Sequence, residues 1–468
     1  AGVLRPHLGV GFTCGDEECF EIFADIINPI VKGWHQFDPA TQTHTSDLNF
    51  ESLQFDATDL ALFTKYVKST RIRAARNISG FSLPAGSTKE DRLAVEEVLK
   101  TAFGSLPDNL KGTYFPLGDL TSEQEHALQA GGFLFQKPGP MQLLGAAGAG
   151  RDWPSGRGIF HNPDKTVLCW ANEEDQCRII AMENGGDVKG VFTRFCQLSN
   201  AIKTAAEGAG TRLMEHPKYG FLSTCPSNLG TGLRGSVMIV LPELNKNPHK
   251  LEEICAGFDL QPRGSSGEHS ASVGAKWDIS NKQRIGFTEV QLVQKLIDGV
   301  KKLIAREEEL AAAARAARCD DIEQDIKERF AEVFMEGLVG FFNGRSTQHI
   351  GFSCLSHVQK LKDVKEIKDT SECVKPEVLE KMFLPCFQLC FQIVSACSLE
   401  STSRRTFQEV EAMTSEVSML VENIKRDWKH VVQEGTPEEE SGHDDRGHEN
   451  SDDDSEDEDL PFTPVGVG

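Results

Sequence analysis

Cys225-Pro226-Ser227-Asn228-Leu229-Gly230-Thr231-Gly232-Leu233-Arg234 sets a thiol, two glycines and a guanidinium within ten residues. The flanks Phe221-Leu222-Ser223-Thr224 and Val237-Met238-Ile239-Val240-Leu241 both read as strand, so the ten residues read as backbone turning at the end of a sheet. Glycine lets a backbone approach a ligand closely. Arginine offers a planar fork of donors suited to phosphate. A cysteine beside cations can be a thiolate near neutral pH. Taken alone, such a loop more often holds a buried cysteine and a surface arginine. The rest of the chain changes that balance.

Upstream, Lys65 to Arg73 reads as a strand on which Arg71 and Arg73 alternate with apolar residues and share one face. Two guanidinium groups on one face repel unless an anion sits between them; a solvated strand face is the bland alternative. Thr166 to Ala171 is a strong strand that ends in Asn172-Glu173-Glu174-Asp175. Three adjacent acids there suggest a site for a metal or a cationic substrate, against the plainer reading of a solvated turn. The strand resumes with Arg178 to Met182, and a helix follows at 188–207.

Downstream, Leu260 to Ser270 is rich in glycine and serine and reads as a mobile loop, yet it carries Arg263, Glu268 and His269. Trp277 to Asn281 reads as a short strand, and 288–317 as a long helix. Nearer the start, a Gly9-Val10-Gly11 loop precedes a helix with the apolar face Phe20, Phe23, Ile26, Ile27 and Ile30. Residues 37–60 are polar and read as an extended linker. Residues 89–103 read as a helix with Leu93, Val95, Val98 and Leu99 inward. Arg151 to Gly158 is a loop, and the lone His161 after it is more often structural than functional.

The 468 residues suggest about three domains. The net charge of −22 argues against a nucleic-acid surface. Much of it is local: Glu434 to Gly468 holds 14 acids and one arginine, which leaves the body about −9. The 13 cysteines form no CxxC pair and no zinc spacing, which favours reduced thiols in a cytoplasmic compartment. No apolar run is long enough for a bilayer, so no membrane partner is expected. Residue 1 is Ala, and no targeting segment is visible.

The C-terminal part differs in character. Residues 319–343 are amphipathic at helical spacing. Residues 376–397 are apolar and carry Cys386, Cys390 and Cys397 near one helix face. Phe407 to Val431 shows a three–four apolar stripe, which suits a helical bundle more often than a coiled coil. The acidic tail has almost no apolar content with which to fold, and Ser451 and Ser455 precede acids there.

Collected, the unusual pieces are Arg71, Arg73, Arg178, Arg234 and Arg263, the acids Glu173, Glu174 and Glu268, and Cys225. Phosphoryl transfer needs cations on phosphate oxygens, a metal near carboxylates and a clamp that aligns the nucleophile. A guanidinium is a poor nucleophile, and carboxylates that grip its N–H groups orient it and can take its proton. There is no GxxxxGK[ST] loop and no His-Arg-Asp signature.

From about residue 2 to about 310 the chain resembles the phosphagen (ATP:guanidino) kinases. The likeness rests on Ser69-Thr70-Arg71-Ile72-Arg73, Gly112 to Leu117, Phe133-Leu134-Phe135 and Trp153 to Asn162. It continues through Asn172 to Asp175, Cys225 to Arg234, Arg263 to His269 and Asp278 to Asn281. The resemblance implies an α+β architecture: a small helical N-terminal domain, truncated here, and a large antiparallel-sheet catalytic domain flanked by helices. A helical extension and a disordered acidic tail would follow. The expected boundaries are 1–45 for the partial N-terminal domain, 46–65 for a linker and 66–317 for the catalytic domain. The extension would span 318–433, open to a protein partner, and the tail 434–468.

Carried over by position, the resemblance implies Mg-ATP contacts at Ser69, Thr70, Arg71, Ile72, Arg73, His161, Arg178, Arg234, Gly235, Ser236, Val237 and Met238. Arg263, Gly264, Ser265, Ser266, Gly267, Glu268 and Asp278 would join them. Glu173 would act on Mg²⁺ through water. Glu174, Cys225 and Glu268 would hold the guanidinium, and Gly9, Val10, Gly11, Phe12 and Thr13 would close over the substrate's tail. Glu268 and the short N-terminal loop are similar to the arginine kinase form, so L-arginine is the first substrate expected, then taurocyamine or lombricine. Gln176, Ser266, Leu8 and Thr13 depart from the family's pattern. The competing class is a non-catalytic scaffold that works through residues 318–468.

Overall fold

The computed structural model describes residues 11–140, 142–264 and 274–342, with side chains to residue 318. The described chain divides into two compact units that part between Glu308 and Glu309. The sheet and every described candidate residue lie in the first.

Ten strands are described: β1 (Val67–Arg76), β2 (Thr113–Pro116), β3 (Gly158–His161), β4 (Val167–Ala171), β5 (Cys177–Asn184), β6 (Glu215–His216), β7 (Gly220–Phe221), β8 (Arg234–Val240), β9 (Leu260–Gly264) and β10 (Lys276–Asn281). Eight of them form one sheet in the order β2-β3-β4-β5-β1-β8-β10-β9. Every neighbouring pair in it is antiparallel. β6 and β7 make a separate small hairpin.

The helices are α1 (Cys19–Ile22), α2 (Ala24–His35), α3 (Ala57–Tyr66), α4 (Lys89–Gly104), α5 (Ser122–Ala130), α6 (Leu143–Ala146), α7 (Val188–Gly208), α8 (Pro248–Ala256) and α9 (Glu289–Phe342). Among the described residues no helix is long and apolar enough to cross a membrane.

Alternation builds the sheet's two faces. On β1, Thr70, Ile72 and Ala74 are buried, while Ser69, Arg71 and Arg73 are half-buried on the other side. The buried face packs under helices: a Cβ on Gly235 would meet Leu296 of α9 and Ile72. On α7, Val191, Phe192, Phe195, Leu198 and Ile202 are buried at helical spacing, which gives the sheet its apolar cover.

Several expectations change. The polar stretch 37–60 is not extended throughout, because Asp56 caps α3 through the N–H groups of Thr58 and Asp59. Leu93 points out of α4 and is exposed, whereas Val95 and Leu99 are fully buried. Phe23 and Ile26 are also exposed; Phe20, Ile27 and Val31 make the inward stripe instead. The upstream flank of the opening stretch is strand only at Gly220–Phe221, in the small hairpin. Leu260–Gly264 is an edge strand rather than the start of a loop. The two helical segments read at 288–317 and 319–343 are one helix, α9.

Candidate active site

Register places the candidate cations. Arg73 is directly opposite Ile180 on β5 and Arg234 on β8, and Arg71 opposite Met182 and Ser236. Arg178 lies across from Ala75. Asp278 pairs with Met238 on β8 and with Arg263 on β9. His161 of β3 pairs with Leu168, which in turn pairs with Ile180. Directly opposed residues share a face. Ser69, Arg71, Arg73, His161, Arg178, Arg234, Ser236, Met238, Asp278 and Arg263 therefore stand on one face of five neighbouring strands and β3. Thr70, Ile72, Gly235 and Val237 turn the other way, so only their main chain is open to a ligand on this face.

The face carries a surplus of positive charge. Arg234 Nη2 donates to Asp278 Oδ2 at 2.6 Å. Among the described residues Arg71 and Arg73 have no hydrogen-bond or ion-pair partner. Burial, then the charge of Arg234, pushes Arg71 down to about 10. Burial and the charges of Arg178 and Arg234 push Arg73 down as well. Arginine stays charged at neutral pH despite such shifts, so the cluster is a preformed anion cradle.

Beside the cradle lies an acidic pole. Arg178 Nη1 is 3.1 Å from Glu173 Oε2, and its Nη2 reaches Glu174 and, at 3.4 Å, Asp175. The three acids were expected to repel one another at a strand end; Arg178 sits among them instead. Burial opposes its charge, but the three carboxylates outweigh burial and push the guanidinium pKa up. Burial pushes the carboxyls of Glu173 and Asp175 up. Three carboxylates against one guanidinium still leave an excess of negative charge beside the cradle. Asp175 is fully buried, and its Oδ1 accepts from Asn77 Nδ2, Ser223 Oγ and Thr224 N.

That last bond leads to the thiol. Pro226–Asn228 is a short 3-10 turn, and Cys225 precedes it with its Sγ 3.0 Å from Ser227 Oγ. From sequence this thiol can be a thiolate near neutral pH. Here burial, then the charge of Glu174, pushes it up, while Ser227 pulls it down. A guanidinium lying between Cys225 and Glu174 would reverse the Glu174 effect. Cys14 N donates to Thr224 O at 2.8 Å, which places Cys14 beside the residue that precedes the thiol; Gly11 lies against Leu143 and Phe12 packs edge-on to Phe23. Gly9, Val10, Ser265, Ser266, Gly267 and Glu268 lie outside the described residues, as do Leu8, His269, Ser451 and Ser455.

Sequence reasoning missed Arg284 and His35, and gave Asn281 no role beyond its place in the Asp278-to-Asn281 stretch. His35 Nε2 donates to Pro226 O at 3.0 Å, and Asn281 Oδ1 accepts from Gly235 N at 2.7 Å. Arg284 Nη1 donates to Ser227 O at 3.1 Å. All three reach the Cys225–Arg234 loop or the strand it enters from positions remote in sequence, so local spacing gave no signal. Among the described residues no group of three His, Cys, Asp or Glu side chains could hold a metal. Magnesium commonly takes one or two carboxylates plus substrate phosphates rather than an all-protein cage, and Glu173 beside an arginine cradle fits that pattern.

Comparisons agree with this geometry. Residues 94–310 match the family model described as ATP:guanido phosphotransferase, C-terminal catalytic domain. The chain is 45% identical over 301 residues to the creatine kinase M-type of Gallus gallus, covering 64% of this chain and 78% of that one. It is 45% identical over 307 residues to the lombricine kinase of Eisenia fetida, covering 65% and 80%. A crystal structure of lombricine kinase matches with a TM-score of 0.60 at 44% identity, over 65% of this chain and 82% of that one.

Proposed function

The chain belongs to the phosphagen kinases, the ATP:guanidino phosphotransferases, and from that premise we propose that it moves the γ-phosphoryl group of Mg-ATP reversibly onto L-arginine. The observation that carries the reaction is the adjacency of two opposite surpluses: Arg71 and Arg73, unpaired among the described residues, on the sheet face, and three carboxylates around Arg178. One suits a triphosphate and the other a guanidinium.

In this reading Arg71, Arg73, Arg234 and Arg263 hold the phosphates, with His161, Ser69 and Asp278 beside them and the main chain of Gly235 to Met238 near the base. Arg178 spans phosphate and acids. A magnesium ion would neutralise phosphate charge, with Glu173 turned toward it through water. Glu174 and Cys225 grip the guanidinium N–H groups and aim one nitrogen at the γ-phosphorus. The N–P bond forms as the bond to the β-phosphate oxygen breaks. The nitrogen's proton leaves to Glu174, and ADP departs with the electron pair. By the family resemblance the segment Gly9 to Thr13 would cover the substrate's tail; Gly9 and Val10 lie outside the described residues.

Arginine rests on the acid at Glu268. Lombricine is the second reading, since one relative of 45% identity bears that name; taurocyamine follows it. ADP release from Mg-ATP with each guanidine in turn separates them. Turnover with arginine, lost selectively in Glu268→Val, supports the first reading. Turnover with lombricine or taurocyamine alone moves the substrate and keeps the mechanism.

A further inference from the structure

We propose that Arg284 is a positioning residue for Cys225: its guanidinium pins the turn that carries the thiol, and its positive charge favours the thiolate. The inference rests on the reading of Cys225 as a group that grips the guanidino substrate.

A three-residue 3-10 turn has little stability of its own. Within it, Asn228 N donates to Cys225 O at 2.9 Å, and Leu229 N to Pro226 O only at 3.4 Å. The rest of its hold comes from outside. Arg284 Nη1 donates to Ser227 O at 3.1 Å and also to the side-chain oxygen of Asn228. The backbone of the same residue completes the grip: its carbonyl accepts from Thr231 N at 2.8 Å and from Thr231 Oγ1 at 2.9 Å. Gly230, at φ +84°, lies so close that a Cβ there would come 2.4 Å from Arg284 O. Residue 284 thus holds the loop with side chain and main chain together. Fixing Ser227 through its carbonyl keeps Ser227 Oγ 3.0 Å from Cys225 Sγ.

The groups around Cys225 differ in sign. Glu174 and Asp175, from the turn after β4, oppose a thiolate. Cys14 faces it from the N-terminal segment, and its thiol is pushed up by burial. His35, from α2, is kept neutral by burial. Ser227 favours the thiolate through its hydroxyl. Arg284, from the segment after β10, bonds Ser227 and Asn228 beside the thiol, and its guanidinium and the Cys225 thiolate favour each other's charge. Burial and then Arg234 push it down to about 10, which still leaves it charged at neutral pH.

Alkylation of Cys225 by iodoacetamide, read on its own peptide by mass spectrometry across weakly acidic to alkaline pH, tests this without recourse to activity. Arg284→Gln should move the profile to higher pH and slow alkylation at neutral pH about tenfold, the factor of a one-unit shift. Arg284→Lys should keep most of the profile yet lose turnover with little change in KM for ATP, because an ammonium cannot fork between Ser227 and Asn228. Asn228→Ala, which keeps the charge, should lower kcat and leave the profile in place. A folded Arg284→Gln with the wild-type profile overturns the inference. If that variant does not fold, an Arg284→Lys profile displaced by tenfold or more overturns it. Full turnover by Cys225→Ala would instead defeat the role of the thiol, while the alkylation profile would still read the effect of Arg284.

Discussion

Arg73 of β1 stands directly across from Arg234 of β8, on the same face of the sheet. Arg234 is paired with Asp278 at 2.6 Å, while Arg73 has no partner among the described residues. Like charges on one rung destabilise a sheet, so the fold tolerates a cost that a phosphate would remove. Arg73→Met should therefore stabilise the ligand-free protein by up to about 1 kcal/mol while abolishing the thermal shift produced by ATP. Denaturant midpoints with and without ATP check both; a destabilised variant that keeps the shift contradicts the account.

Ser227→Ala removes the hydroxyl that lies 3.0 Å from Cys225 Sγ. That hydroxyl favours the thiolate, so its loss raises the thiol pKa further. Alkylation of Cys225 at neutral pH should slow about 3- to 10-fold, the worth of one hydrogen bond. An unchanged rate would show that the contact does nothing for the thiol.

His35 has its pKa pushed down to about 4 by burial, and His44 likewise. An unfolded histidine titrates near 6.5. Between these values the unfolded chain binds the proton and the folded chain does not. The stability contribution is therefore full above pH 6.5 and falls as pH drops toward 4. For His35 the loss is about 3 kcal/mol at most. In His35→Gln the urea midpoint should fall less steeply than in wild type across that window. Parallel curves would mean that His35 is not buried in its neutral form.

Glu289 opens α9 and meets Arg76 at 3.2 Å with both side chains fully buried. It also accepts from Ser46 Oγ and Asp47 N. Glu289→Gln leaves Arg76 without its counter-charge and should cost about 3–5 kcal/mol. A midpoint shift under about 1 kcal/mol would mean that the pair is well solvated.

Alternation made much of this fold legible in the sequence. Arg71 and Arg73 were placed on one strand face by spacing alone, and α7 by its apolar period. The turn at Cys225 and the acids at Glu173 to Asp175 were visible as breaks in apolar runs. Spacing did not predict that Arg178 would sit among those acids, since that depends on how the chain turns between β4 and β5. Nor could it find Arg284 or His35, whose bonds to the Cys225 turn span 57 and 191 positions. The helix α3 was hidden because its inward side carries little apolar surface, with Phe63 its one buried residue.

The central claim is that this face joins phosphate to a guanidino nitrogen. It is tested most directly by ³¹P NMR of the chain incubated with Mg-ATP and arginine, lombricine, taurocyamine, glycocyamine or creatine in turn. The account predicts that with at least one of them the γ-phosphorus resonance is replaced by that of an N-phosphorylated guanidine, and that Cys225→Ala slows its appearance strongly while ATP still binds. ATP binding with no N–P resonance from any guanidine, or phosphate released only to water, would contradict it.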